Sequence, residues 1–146
     1  MGTQQILMIV LGVIVVGIAV SVGLAMFDAQ SYSSNRSALA SELQFHSTVI
    51  VQLWKMPTSL GGASMNQANI TPASVGAALG FQLVGSVWSL TNENGEYRVI
   101  STNSGVVVVA GLGRDTKGGK HPYAEMTVDL LTSDISTTLS DKEAFD

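Results

Sequence analysis

The sequence predicts an α+β protein in which a long N-terminal α-helix packs on a small antiparallel β-sheet. Three observations carry that expectation. Residues Ile6 to Phe27 form an uncharged, almost wholly apolar run. A stripe of apolar residues at helical spacing follows it directly, and from residue 81 onward short Val-, Leu- and aromatic-rich runs alternate with turn signals. One domain plus one special segment accounts for 146 residues. The composition fits that division: 46% of the residues are hydrophobic and 12% charged, the latter about half the usual globular fraction.

The first element is the run ILMIVLGVIVVGIAVSVGLAMF, interrupted by one polar residue, Ser21, and followed by the first charged side chain, Asp28. As a helix rising about 1.5 Å per residue it is about 33 Å long, close to the roughly 30 Å hydrocarbon core of a bilayer. It is apolar on every face, and helices of that kind are buried all round. The rest of the chain is too small to bury it, so its cover is expected to be lipid or other copies of the same helix. Each Val, Leu or Ile side chain buried contributes roughly 1.5 to 3 kcal/mol.

Three origins are compatible with an apolar block at this position. A cleaved secretory signal needs a basic n-region and an apolar stretch of about 7 to 15 residues before a small-residue cleavage site. Here no basic residue precedes the block, the block is longer, and Gly23 with Ala25 is a weak cleavage pair. A plain single-pass anchor has no Lys or Arg before the span to set its orientation. A chain processed to begin at Met1, after loss of a short basic leader, accounts for the missing n-region.

MGTQQILMIVLGVIVVGIAVSVGLAMF resembles the mature N-terminus of the type IV pilin superfamily: a few polar residues, a long apolar run, then a polar helix. The layout matches over about the first 55 residues, and the remainder matches in order of elements. The resemblance implies a helical homopolymer whose assembly surface comprises Met1, Gln5, Ile6, Leu7, Ile9, Val10, Leu11, Val13, Ile14, Val16, Ile18, Val20, Leu24 and Phe27. It also implies a membrane location before assembly, and a prepilin peptidase and pilus assembly machinery as partners. Where the family usually has a glutamate at position five, this chain has Gln5, which accepts a hydrogen bond from an ammonium without neutralising it. Val22 stands where the family commonly has a proline. Gly12, Gly17 and Gly23 either weaken the helix locally, at about 1 kcal/mol each relative to Ala, or permit close helix approach.

The second element is amphipathic. Tyr32, Leu39, Leu43, His46, Ile50 and Leu53 recur at spacings of three, four and seven, so the helix is expected to continue to Met56 and to end at Pro57 and Gly61-Gly62. Its total length is about 75 Å at 1.5 Å per residue. The expected organisation is therefore an apolar half-helix over 1–27, an amphipathic half over 28–56, a connecting loop with a short helix over 57–80, and a sheet domain with an acidic tail over 81–146. In the loop, Thr71 and Pro72 are an N-cap and N1 pair for a helix running to Leu79 and closed by Gly80.

Four strands are expected: Phe81 to Leu90, Glu96 to Ser101, Val106 to Leu112 and Tyr123 to Leu131. Asn94-Gly95 is a hairpin signal and Asn103-Ser104-Gly105 a second turn. Short turns make the neighbours antiparallel, giving a meander over the helix stripe. The unbroken run Val106 to Val109 predicts a strand covered on both faces, one cover being a neighbouring subunit.

The seven basic residues are mostly scattered and the net charge is −4, which removes the broad basic face of a nucleic-acid binder. The absence of cysteine removes disulfides and thiolate chemistry. GLGRDTKGGKH, residues 111–121, lacks the first glycine and the final Ser or Thr of a phosphate loop and is expected to be a surface hairpin. Its Arg114, Lys117 and Lys120 are expected to attract the acidic tail of an adjacent subunit, through Asp141 and Glu143. His46 and His121 lie on separate elements, so no catalytic, cofactor or metal site is predicted and none of the residues suggests an enzyme. Asn35 and Asn69 each begin a glycosylation sequon. The expected function is a structural subunit of an extracellular filament. The alternatives are a monomeric membrane-anchored binding module and a secretion-system pseudopilin.

Overall fold

In the computed structural model, which describes residues 2–145, helix α1 runs unbroken from Gly2 to Lys55 and packs its second half on a six-stranded antiparallel sheet. A short helix α2 (Pro72–Leu79) precedes the strands β1 (Gln82–Val84), β2 (Val87–Thr91), β3 (Gly95–Asn103), β4 (Val106–Gly113), β5 (His121–Asp129) and β6 (Asp134–Lys142). The strands lie in chain order, each paired with the next, so the sheet is an open meander.

The predicted stripe is the buried face of α1: Tyr32, Leu39, Leu43, His46, Ile50 and Leu53 all lie inside, joined by Ser47 and Trp54. Leu39, Leu43, Ile50, Leu53 and Trp54 share one core with Tyr97 and Val99 from β3, Val107 and Val109 from β4, and Ala124, Met126 and Val128 from β5. Alternation along each strand sends these residues inward and their neighbours outward. Val106 and Val108 accordingly stay half-exposed on the outer face. The expectation that this strand is covered on both faces is therefore not met within the chain.

The helix ends as its sequence dictates. The loop after Pro57 folds back so that the amides of Ala63, Ser64 and Met65 donate to the carbonyls of Leu53, Met56 and Trp54, at 2.9 Å each. These bonds satisfy acceptors that a helix C-terminus leaves orphaned. The loop is consequently less exposed than its Ser-, Gly- and Asn-rich composition implied, with Ala63 and Ile70 buried. Helix α2 begins at a capping box formed by Thr71 and Ser74 and closes at Gly80 in the left-handed conformation, as predicted.

Two strand boundaries differ from the sequence expectation. The predicted strand Phe81 to Leu90 is two strands, because Gly85 takes positive φ in a two-residue hairpin between Val84 and Val87. The tail after residue 131 is a full strand, β6, in nine-residue register with β5. Asn94-Gly95 marks the β2–β3 connection, yet Gly95 does not take positive φ. It is required instead because a Cβ there would strike the Leu112 carbonyl of β4. The bend itself is organised by Asn92, whose side-chain oxygen accepts from the amides of Asn94 at 2.9 Å and Gly95 at 3.1 Å.

Candidate functional site, the uncovered half of the helix

Every described residue from Gly2 to Gln30 is exposed. Between Ile6 and Phe27 the large apolar side chains keep from 51% (Val10) to 77% (Met8) of their surface accessible. The predicted assembly residues Gln5, Ile6, Leu7, Ile9, Val10, Leu11, Val13, Ile14, Val16, Ile18, Val20, Leu24 and Phe27 thus form one continuous uncovered cylinder. Met1 lies outside the described residues. The segment is long and apolar enough to cross a membrane, and a membrane-anchored chain is compatible with it. Its backbone is satisfied internally, as a spanning helix requires, and Ser21 returns its hydroxyl to the Gly17 carbonyl at 2.8 Å. A Cβ added to Gly12, Gly17 or Gly23 would find nothing within 4 Å. The chain's own packing therefore does not require glycine at these three positions.

The sheet domain grips the helix just beyond this cylinder. A Cβ on Gly111 of β4 would press on Leu39, and one on Gly113 would collide with the Asn35 amide oxygen. Ser31 donates its hydroxyl to Asp115 at 2.7 Å. Two residues of β4 and its extension thus match each turn of helix, and the chain descends α1 toward the apolar half. Asn35 also donates its amide to the Asn94 carbonyl at 2.7 Å, so this sequon nitrogen is engaged in joining helix to sheet. Asn69, the other sequon residue, is exposed and donates to the Ala63 carbonyl at 3.1 Å.

A second polar clamp sits higher on the helix. Glu42 accepts from the Tyr97 hydroxyl at 2.5 Å, from the Asn94 amide at 3.0 Å and from the Asn92 amide. Burial, reinforced by the hydrogen bond to Glu42, pushes the Tyr97 hydroxyl far above its ordinary pKa. Next to it His46 is enclosed by the rings of Phe81 and Tyr97, each at 5.3 Å and edge-on. Its Nδ1 is buried without a partner, and burial holds its pKa below 6.5. His46 is therefore a neutral core side chain. His121 is the first residue of β5, whereas His46 packs on Tyr97 of β3, two strands away, so the two histidines are not brought together.

The residues expected to attract one another between subunits lie at one end of a single sheet. Pro122 pairs with Asp141 and His121 with Lys142, at the foot of the loop carrying Arg114, Lys117 and Lys120. Asp141 is occupied within the chain, accepting from the Tyr32 hydroxyl at 2.6 Å. Burial and that bond push the Tyr32 pKa up to about 12. Among the described residues no ion pair joins Arg114, Lys117 or Lys120 to Asp141 or Glu143. Glu143 is exposed.

The tail has a further role, in covering the sheet, for which its sequence carries no signal. Phe145 folds over the outer face, 6.1 Å from the Tyr123 ring, with the Arg98 guanidinium 4.4 Å from its own ring centre. Among the described residues, no three His, Asp or Glu side chains gather into a group able to hold a metal ion. No protein-family model, curated protein or solved structure matches the chain.

Proposed function

We propose that this protein is a structural subunit that polymerises through residues 6–27 into a filament of the type IV pilin kind, with the helices bundled at the centre and the sheet domains outside. The observation that carries this reading is the uncovered apolar cylinder on a helix continuous with the domain's own core. Burying its side chains is worth on the order of tens of kcal/mol at roughly 1.5 to 3 each, more than the about 5 to 15 kcal/mol by which a domain is stable. Such a surface is not kept in water. Lipid covers it before assembly and neighbouring helices cover it afterwards.

The glycines favour helices over lipid as the final cover. Each costs about 1 kcal/mol of helix stability relative to Ala, and at Gly12, Gly17 and Gly23 no intrachain contact repays it. Close approach of another copy would do so. Replacing Gly17 by Leu tests this, because the change leaves the segment at least as able to enter a membrane while blocking close approach. Filaments sheared from cells should fall at least several-fold while membrane-bound chain persists. Unchanged filament yield would count against helix-to-helix burial at this position.

The second reading, a monomeric anchored binding module, draws on the same exposed cylinder, with lipid as its permanent cover. In that case the Gly17→Leu chain behaves as the unsubstituted one does and all of it dissolves in mild detergent. A pseudopilin forming short polymers lies between the two and shares the sensitivity to Gly17→Leu.

A further inference from the structure

We propose that the β4–β5 loop is a membrane-surface contact, in which Arg114, Lys117 and Lys120 engage the phosphates of anionic lipid headgroups while the apolar half-helix is inserted. The proposal rests on the membrane-inserted state of that half-helix.

Its basis is the vertical register between sheet and helix. Gly111 meets α1 at Leu39, Gly113 at Asn35 and Asp115 at Ser31. Four helical residues climb about 6 Å and two extended residues about 6.6 Å, so the two advance in step. Past the end of β4 at Gly113, Arg114 and Asp115 line a cleft with Phe27, the last residue of the apolar run. Arg114 and Thr116 already share a polar cleft with Asp28 and Ser31. At the tip, Lys117 and Lys120 pair through a two-residue turn at Gly118 and Gly119, both with positive φ, and so present their ammonium groups together. An inserted helix whose hydrocarbon section ends at Phe27 has its lipid phosphates at the level of this loop.

The charge distribution agrees. The chain as a whole carries −4, yet residues 114–120 hold three cations against a single carboxylate, Asp115. Asp115 accepts from the Ser31 hydroxyl and Asp141 on the adjoining strand from the Tyr32 hydroxyl, so both carboxylates keep their charge but face α1, where Asp28 lines the same cleft as Arg114. Arg114, Lys117 and Lys120 are all exposed. Cations so placed beside an anionic bilayer each strengthen the contact by about fivefold. The contact orients the domain against the membrane and adds a second attachment to the helix.

The test uses the full chain, which has no native cysteine, with single nitroxide labels at Leu11→Cys, Thr116→Cys or, at the far end of the sheet, Thr132→Cys. Each is reconstituted in vesicles of phosphatidylcholine alone or with phosphatidylglycerol, and accessibility to a water-soluble nickel chelate is read by power saturation. The Leu11 label is expected to be inaccessible in both lipids. The Thr116 label should be shielded several-fold relative to Thr132, and more so with phosphatidylglycerol. The triple substitution R114Q/K117Q/K120Q should abolish that lipid dependence. A shielded Leu11 label with a Thr116 label as accessible as Thr132 overturns this proposal while leaving membrane insertion intact. Shielding of Thr116 that follows protein density and not lipid charge also overturns it, and assigns the loop to a neighbouring copy. An accessible Leu11 label removes the inserted state on which the proposal depends.

Discussion

His46 shows how one side chain ties stability to pH. Enclosed by Phe81 and Tyr97, it is held below its ordinary pKa of 6.5 chiefly by burial. The unfolded chain therefore binds the proton more readily than the folded one. The stability that neutral His46 permits is present above pH about 6.5 and is lost as the pH falls below it. Thermal unfolding of the full chain in detergent should show a falling midpoint below that pH, and His46→Leu should flatten this part of the profile. The Glu42 clamp makes a separate prediction. Removing its carboxylate by Glu42→Ala strands the Tyr97 hydroxyl and the amides of Asn92 and Asn94, and should cost about 3 kcal/mol in denaturant unfolding.

At the scale of elements, the join between α1 and the sheet depends on glycines used for room. Gly113 takes ordinary negative φ, but a Cβ there would occupy the place of the Asn35 side-chain oxygen, and one at Gly95 would strike the Leu112 carbonyl. Gly113→Ala and Gly95→Ala should each destabilise the domain by about 2 kcal/mol or more. A measured loss below about 0.5 kcal/mol at both sites would contradict this packing account.

The same elements explain which parts of the fold were readable in the sequence. The α1 stripe was legible because Tyr32, Leu39, Leu43, His46, Ile50 and Leu53, mostly apolar and spaced by three, four and seven, must share one side of a helix. Helix α2 was legible from Thr71, Pro72 and Gly80, whose backbone roles are local. Strand β6 was not, because DISTTLSDK is an edge strand with its residues mostly exposed and no apolar alternation. The β1–β2 hairpin was hidden inside the apolar run 81–90, where Gly85-Ser86 was its only turn signal. The Glu42 clamp has no sequence signature because its partners lie some 50 residues away and are joined only by the fold. The uncovered cylinder needed no tertiary information, since its lack of any polar face already implied an external cover.

For the whole molecule, α1 joins two surfaces of opposite character on one rigid axis. Its second half is sealed by Leu39, Leu43 and Ile50, all fully buried. Its first half has no cover from the chain. Because the helix is continuous through residue 55, packing the first halves together would hold the sheet domains at fixed positions around them. Under this proposal a charge at the centre of the exposed half, such as Val13→Asp, should weaken insertion by about 2.5 to 3.5 kcal/mol for the buried carboxylate and lower the filament yield. The sheet domain's internal hydrogen bonds should be left intact, as read by amide exchange.

The most direct test of the proposed assembly is electron microscopy of material sheared from cells and washed in mild detergent, with peptide mapping of what remains. The account predicts thin, detergent-resistant filaments composed of this chain. Membranes that retain all of the protein, and release it as a dissolved monomer with no filaments, would contradict it.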